Sequence, residues 1–469
     1  MLTRIEISGF KSFEDMKIDV SPFMVVLGAN GVGKSNLFDA MQLLSLCATS
    51  NDLKSAFAQN RGDAEELFRR SSDSSPSGPM RIAAELLLPL TTEDPYKDTV
   101  EVPHTRVRYE LEIALHGSQD GALQRLVVVK ESAVPILAKD DRWAPFGSKP
   151  SKQFREAHCK YSRSVPYISM EQENGRVQFV IHQDGHGGRK REMPAVAAEA
   201  TALSSVTTAG FPTMYALKEE LRSWRFLQLD PMGLRKPSQS TDPETLLPDG
   251  RNLARVLARI RSETTTAARP HGVLNDISAD LVQFVPGISK LEVRNDPNPK
   301  EYRVEMTYSN QGANEPFNAR VLSDGTLRLL ALFTLLHDPR LRGMICFEEP
   351  ENGIHPQRLG ILIGRLRELV SDPQATDPDA KEPLLQVLLN SHSPVVLSQL
   401  RAGKQRDGEV YWADLITKVG SSLPKPIRCT RLRAVHTTRQ TRLDDSDDGA
   451  ETVSDGEVRN YLETVSGSH

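Results

Sequence analysis

Cysteine is scarce in this chain: there are four in 469 residues, Cys47, Cys159, Cys346 and Cys429, and no two form a C-x-x-C pair. That spacing excludes a disulfide framework and a thiolate zinc site as the basis of the fold. No apolar run approaches the roughly 20 residues that a helix needs to cross a bilayer. The start, Met1-Leu2-Thr3-Arg4-Ile5-Glu6, has no charged-then-apolar leader pattern. The expectation is therefore a cytoplasmic protein with no membrane partner. Global positive charge is missing too: the net charge is -4 and the pI near 6.3, so any attraction to nucleic acid has to come from a local basic patch. No internal repeat is present, and Pro243, Pro248, Pro270, Pro286, Pro297 and Pro299 interrupt every candidate for a long coiled coil. What remains is a chain of 38% hydrophobic residues and mean hydropathy -0.40, long enough for a large core. Its length allows about two to four domains.

Against that background one stretch stands out, Gly28-Ala29-Asn30-Gly31-Val32-Gly33-Lys34-Ser35. It follows the apolar run Met24-Val25-Val26-Leu27, which reads as a buried strand, and precedes Asn36-Leu37-Phe38-Asp39-Ala40-Met41, which starts a helix. Glycines at 28, 31 and 33 let the backbone aim successive N–H groups inward, so that an anion is held at the positive end of the helix. Lys34 neutralises β- and γ-phosphates in such a loop, and the Ser35 hydroxyl is a Mg²⁺ ligand. Asn30, Gly31, Val32, Gly33, Lys34, Ser35 and Asn36 are the candidate nucleotide contacts.

Residues 2 to 20 alternate as two short strands joined by Gly9-Phe10-Lys11-Ser12-Phe13. Ser71 to Ser77 is a loop by composition. Strand-like runs at Met80–Leu88, Val107–Leu115, Leu126–Lys130 and Val177–Ile181 suggest an antiparallel sheet. From about 195 to 285 the pattern turns helical, as in Met214–Arg222 and Asn252–Ile260; Arg251, Arg255, Arg259 and Arg261 read as a solvated helix face.

A second buried-strand run, Met344-Ile345-Cys346-Phe347, ends in Glu348-Glu349-Pro350. Carboxylates at the C-terminal end of a parallel strand meet a metal and an attacking water. Glu348 is assigned to the Mg²⁺ shell and Glu349 to orienting or deprotonating water. Upstream, Leu322-Ser323-Asp324-Gly325-Thr326 precedes an apolar helix; the Ser323 hydroxyl and Gly325 amide at its start form a second anion site. Downstream, the strand-like Leu385–Leu389 leads to Asn390-Ser391-His392-Ser393-Pro394, which puts His392 in reach of a γ-phosphate.

Together, the loop, the Leu322–Thr326 run, Glu348-Glu349-Pro350-Glu351-Asn352-Gly353-Ile354-His355-Pro356 and Asn390–Pro394 resemble the ATP-binding-cassette heads of the SMC/RecF/overcoming-lysogenization-defect group, as does Gly9–Phe13. The stand-alone ATPases of genome-maintenance and phage-defence systems are the nearest in look. The motifs cover about 1–50 and 317–400. The resemblance implies an α/β fold, a P-loop NTPase head of the ABC type with an antiparallel β subdomain and an inserted helical lobe. Its parts are an ATPase core at 1–50 and 310–420, a β-rich part at 51–195, a helical lobe at 196–309, and a basic then acidic tail at 421–469. It makes Gly28 to Ser35 the Walker A loop, Ser323 to Thr326 the signature, Glu348 and Glu349 the Walker B pair, Asn352 to His355 the D-loop and His392 the switch histidine. The catalytic set it implies is Lys34, Glu349 and His392. Glu348 stands where Asp is commoner, Asp324 where the signature has glycine, and His355 where the D-loop has aspartate. Gln153, Gln172, Gln178 and Gln228 all remain candidates for the Q-loop glutamine.

The resemblance also implies ATP and Mg²⁺ as cofactors and a homodimer or higher homo-oligomer, since one Walker A and one signature per chain complete two composite sites by two-fold symmetry. ATP binding drives closure and hydrolysis releases it. The expected output is DNA binding or sensing in DNA repair or anti-phage defence, helped by the basic stretch Lys425, Arg428, Arg431, Arg433, Arg439 and Arg442; the acidic Asp444-Asp445-Ser446-Asp447-Asp448 reads as a linker. The alternative is an ATP-gated scaffold that holds or releases a separate effector, a nuclease or toxin. Only about 70 residues follow His392-Ser393-Pro394, short for the Toprim nuclease domain of overcoming-lysogenization-defect proteins. A transporter motor is a weaker third reading, because the interval from Ser35 to Ser323 is long for one.

Overall fold

The structure is a computed structural model and describes residues 1–70, 78–116, 124–184, 190–297, 300–310, 313–403, 405–418, 427–436, 453, 456–458 and 460–461. The Ser71–Ser77 loop, Lys425, Arg439, Arg442 and the acidic run 444–448 lie outside these residues. The chain forms two compact units, Met1–Trp224 with Arg365–His469, and Arg225–Gly364.

In the first unit an eight-stranded antiparallel sheet runs in the order Lys190–Pro194, Arg176–His182, Ile168–Glu173, Arg125–Pro135, Arg106–His116, Met80–Leu87, Leu2–Ser8, Met16–Asp19. Period-two alternation drives it: Ile5, Ile7, Ile82, Ala84, Tyr109 and Leu111 are buried. Their neighbours form a charged face, on which Glu6 accepts from Arg81 and Arg108, and Glu110 from Arg81 and Lys130. Burial alone would raise the Glu6 carboxyl, but Arg108 and Arg81 outweigh it and hold it at about 2.

A second layer of this unit is parallel. Phe23–Leu27, every residue buried, lies between Leu385–Ser391 and Val410–Lys418, and Ile427–Ala434 closes the edge antiparallel to the last. A strand buried on both faces reads as a continuous apolar run, which is what Phe23-Met24-Val25-Val26-Leu27 shows. Gln386, fully buried, stitches the layers by donating to the carbonyls of Leu2 at 2.8 Å and Ser21 at 3.0 Å and accepting from the Leu2 N–H. The helix Lys34–Thr49 follows the central strand.

In the second unit Arg225–Leu227 pairs in parallel with Gly343–Glu348. The helices Leu253–Thr264, Leu274–Phe284 and Asp324–Leu336 bury Leu257, Ile260, Ile277, Leu281, Leu330 and Phe333. The lobe expected to be helical to residue 309 instead changes to strands at Ile288–Pro297 and Lys300–Asn310, joined by Ala313–Asn318. The cause is local: Leu291 with Val293, and Val304 with Met306, are buried at a spacing of two. The expected tail likewise contains the edge strand Ile427–Ala434.

Glu131 is a buried acid in this framework, with no exposure at all. It accepts from the N–H groups of Ala202 at 2.5 Å and Leu203 at 2.9 Å and from the Tyr109 hydroxyl at 3.0 Å. Burial nevertheless pushes its carboxyl up to about 7 from an ordinary 4.5. The folded chain thus keeps a proton that the unfolded chain releases, so the stability this group contributes is present below the unfolded value and lost as pH rises through about 7. Over that window wild type should lose on the order of 3 kcal/mol from this group. Glu131→Gln, followed by denaturant unfolding at several pH values, should flatten that part of the profile; a mutant slope equal to wild type would assign the dependence elsewhere.

Candidate functional site

The loop is built by a strand that stops and a helix that starts without a side-chain cap. The N-cap of Lys34–Thr49 is Gly33, at φ 97°, which has no side chain with which to cap the first turn. An ideal Cβ on Gly33 would sit 2.2 Å from Thr430 Oγ1 and 2.6 Å from Ser12 Oγ, so no larger residue fits. Asn30 and Gly31 are exposed at the tip, Val32, Gly33, Ser35 and Asn36 are half-buried, and Lys34 is buried. The Lys34 ammonium donates to the carbonyls of Gly28 and Ala29, each at 2.8 Å, and so stands across the loop. Among the described residues no group of three or more His, Cys, Asp or Glu gathers as a metal cage. The Ser35 hydroxyl, half-buried at the start of the helix, is a donor of the type that Mg²⁺ takes beside phosphate oxygens and water.

Three side chains, Asn390, Ser12 and Thr430, meet the loop from distant parts of the first unit. Asn390 Nδ2, near the end of Leu385–Ser391, is 3.4 Å from Ser35 Oγ. Asn36, read as a nucleotide contact, donates its side-chain amide to Ser12 Oγ at 2.8 Å. Thr430 in the edge strand donates to the Val32 carbonyl at 2.6 Å. His392 follows the Leu385–Ser391 strand, and its carbonyl accepts from the Tyr461 hydroxyl at 2.6 Å. Tyr461 packs edge-on against Trp412, with ring centroids 4.6 Å apart.

The second unit holds the other expected residues. Glu348 ends the strand Gly343–Glu348, and Glu349 follows it at φ 49°. A left-handed non-glycine residue costs about 1 kcal/mol or more, offset here by Asn352, whose side-chain amide donates to Glu349 Oε2 at 2.6 Å. Parallel pairing of Leu227 with Phe347 brings Gln228 to the same end as Glu348. Of the four candidate Q-loop glutamines, Gln153 lies in the helix Lys152–His158, and Gln172 and Gln178 lie in the antiparallel sheet. Burial pushes the Cys346 thiol, in the same strand as Glu348, well above its ordinary range.

Ser323 caps Asp324–Leu336 as expected, accepting from the Thr326 N–H at 3.2 Å, and stays exposed. Gly325 is buried because the backbone of Gly353 lies against it; an ideal Cβ there would be 2.1 Å from the Gly353 carbonyl. The Ser323–Thr326 run and the Asn352–His355 run are therefore in direct backbone contact. Asp324 is paired with Arg235, whose guanidinium donates to Asp324 Oδ1 at 2.5 Å and to the Leu322 carbonyl at 2.9 Å. Sequence reading missed Ser12, Thr430, Asn390 and Arg235 as parts of these sites. Ser12 and Asn390 lay inside runs already singled out, whereas nothing in the sequence marks Arg235 or Thr430.

Residues 1–163 match the family described as "AAA ATPase domain", and residues 222–398 match "AAA domain, putative AbiEii toxin, Type IV TA system". No curated protein matches the chain. Among solved structures, an Smc head bound to the C-winged helix domain of ScpA is similar at 15% identity and a TM-score of 0.46, over 92% of this chain and 97% of that one. A second, an Smc head with an extended coiled coil bound to the C-terminal domain of ScpA, derived from Pyrococcus furiosus, is similar at 14% identity and a TM-score of 0.45, over 92% and 96%. The SMC head domain from Thermotoga maritima is similar at 11% identity and a TM-score of 0.34, over 92% and 98%. The two family matches fall on the loop and on the acidic strand with its flanking motifs, so each of these stretches is similar to AAA-family ATPase domains.

Proposed function

We propose that this chain binds and hydrolyses ATP as an ABC-type ATPase, and that nucleotide-dependent pairing of two copies is its output. The observation that supports this best is the loop itself: an uncapped start of a 16-residue helix behind an exposed Asn30-Gly31 tip, with a buried lysine poised across it. In this reading Lys34 exchanges two carbonyl partners for β- and γ-phosphate oxygens, a gain in charge-assisted hydrogen bonding. Ser35 and Glu348 hold Mg²⁺, which when bound neutralises charge on the phosphates. Glu349 takes the proton of the attacking water, its carboxylate oriented by the Asn352 amide. His392 hydrogen-bonds the γ-phosphate. Ser323 and the start of its helix face the nucleotide of a second copy, with Asp324 neutralised by Arg235.

For what the pairing controls, the arginines favour a protein effector over direct action on DNA. Arg431 is ion-paired with Asp414 at 2.7 Å, and Arg433 with Asp414 at 3.1 Å and Glu457 at 2.8 Å. On the helix Leu253–Thr264, Arg255 pairs with Glu244 and Arg259 with Asp338 and Glu263. Charges already matched within the chain gain little from phosphates. The match of residues 222–398 to a family described as "putative AbiEii toxin, Type IV TA system" supports a toxin or defence setting.

Lys34→Ala should weaken ATP binding by about tenfold to a hundredfold, the worth of hydrogen bonds to a charged partner; affinity equal to wild type in a calorimetric titration would remove the loop assignment. Glu349→Gln should bind ATP normally, lose turnover by roughly a hundredfold or more, and accumulate as a nucleotide-bound dimer. Ser323→Arg should bind ATP as a monomer and fail to pair. Solution mass with ATP and Mg²⁺ separates the cases: an ATP-dependent dimer of Ser323→Arg would end the composite-site reading.

A further inference from the structure

The loop is held from outside by a chain of hydrogen bonds whose direction is fixed by its ends. Asn36 Nδ2 donates to Ser12 Oγ at 2.8 Å, Ser12 Oγ and Thr430 Oγ1 are 2.6 Å apart, and Thr430 Oγ1 is 2.6 Å from the Val32 carbonyl. A carbonyl can only accept, so the single Thr430 proton goes to Val32. Thr430 must then accept from Ser12, and Ser12 accepts from the Asn36 amide. Each member has one arrangement that satisfies it. The members are brought together by the backbone, since the Thr430 N–H donates to the Ser12 carbonyl at 2.9 Å. Thr430 is buried to 5% exposure, and its oxygen occupies the space that a side chain on Gly33 would need.

The acceptor at the end of this chain matters. A trans peptide is planar with its C=O and N–H pointing in opposite directions. Turning the Val32 carbonyl out to Thr430 therefore turns the Gly33 N–H the other way, to the side of the loop away from Thr430. Were the Val32–Gly33 peptide to flip, which a glycine at φ 97° tolerates, the loop would present a carbonyl oxygen where an anion needs an N–H. Lys34 cannot guard against this, because the carbonyls it holds are those of Gly28 and Ala29.

We propose that Thr430 is a positioning residue for the nucleotide, locking the Val32–Gly33 peptide in the anion-accepting orientation, with Ser12 holding Thr430 in turn. The inference rests on the reading of the loop as the phosphate site. Through it the edge strand Ile427–Ala434, which also carries Arg433 and its Glu457 pair, is mechanically joined to nucleotide binding.

The test is equilibrium binding of ATP and of ADP to the full chain, with thermal unfolding measured alongside. Thr430→Val, which keeps the shape and removes the hydroxyl, should weaken both nucleotides by roughly tenfold, the worth of one well-placed hydrogen bond, and leave the melting temperature of the nucleotide-free protein near wild type. Thr430→Ser should restore affinity. Ser12→Ala should weaken binding in the same direction, and the double variant Ser12→Ala/Thr430→Val should be no weaker than Thr430→Val alone, because both break one chain. Wild-type affinity in Thr430→Val, additive losses in the double variant, or a Thr430→Ser protein as weak as Thr430→Val would each overturn the proposal. Should Thr430→Val not fold, Ser12→Ala carries the same comparison. Lys34→Ala in parallel separates the two levels: if it loses nucleotide while Thr430→Val does not, only the role of Thr430 is wrong, whereas if it keeps nucleotide the loop reading fails and takes this proposal with it.

Discussion

The constraint on which the rest of the site depends is the uncapped start of the helix Lys34–Thr49. The first four N–H groups of any helix lack an internal acceptor. At Asp52, Ser151, Asp230 and Ser323 this chain meets that need with a side-chain oxygen. At Gly33 it cannot, because the space for a side chain is taken by Ser12 and Thr430. The unmet need is then stable only on a rigid base, which the fully buried Phe23–Leu27 strand between two parallel neighbours provides. Lys34, drawn back onto two carbonyls, keeps a buried cation partnered.

Charge elsewhere is arranged to cancel. Glu6 and Glu110 each sit between two basic groups on the face of the antiparallel sheet, and both are held at about 2 by them against the opposing effect of burial. Arg431, Arg433, Arg255 and Arg259 are paired in the same manner. A stripe of basic residues in a sequence is an electrostatic patch only if its acids lie elsewhere in the fold. Asp414 faces Arg431 across neighbouring strands, and Asp338 reaches Arg259 from the end of another helix, so the acids arrive through tertiary structure.

This is also why the sequence was legible in some places and opaque in others. The Gly28–Ser35 loop, the Ser323 cap and the strand ending at Glu348 were legible because each is a local pattern in which a few consecutive residues carry both conformation and chemistry. The antiparallel sheet was legible from alternation, with edges off by a residue or a few. The strands at 288–310 were not, since Leu291 with Val293 and Val304 with Met306 are short alternations embedded among charged residues. Ser12 and Thr430 stand 418 positions apart, and no periodicity links them. Gln228 became distinguishable from the other glutamines only through the register of Arg225–Leu227 on the acidic strand.

The departures from the expected motif take on a physical meaning once their neighbours are known. Asp324, in the first turn of its helix, is favourable to the helix dipole but adds negative charge at an end that the proposed function needs for phosphate. Arg235 removes that conflict, because an acid and a guanidinium 2.5 Å apart present a dipole in place of a net charge. The residue that must remain small is the next one, Gly325, against which the Gly353 backbone packs so closely that neither position admits a Cβ. The Ser323–Thr326 and Asn352–His355 runs are thus locked by a pair of glycines, and the charge of the acidic residue beside them is met from the turn that follows Pro231–Leu234. In the proposed function, the Arg235 partner is what lets Asp324 stand where the resemblance expects a glycine.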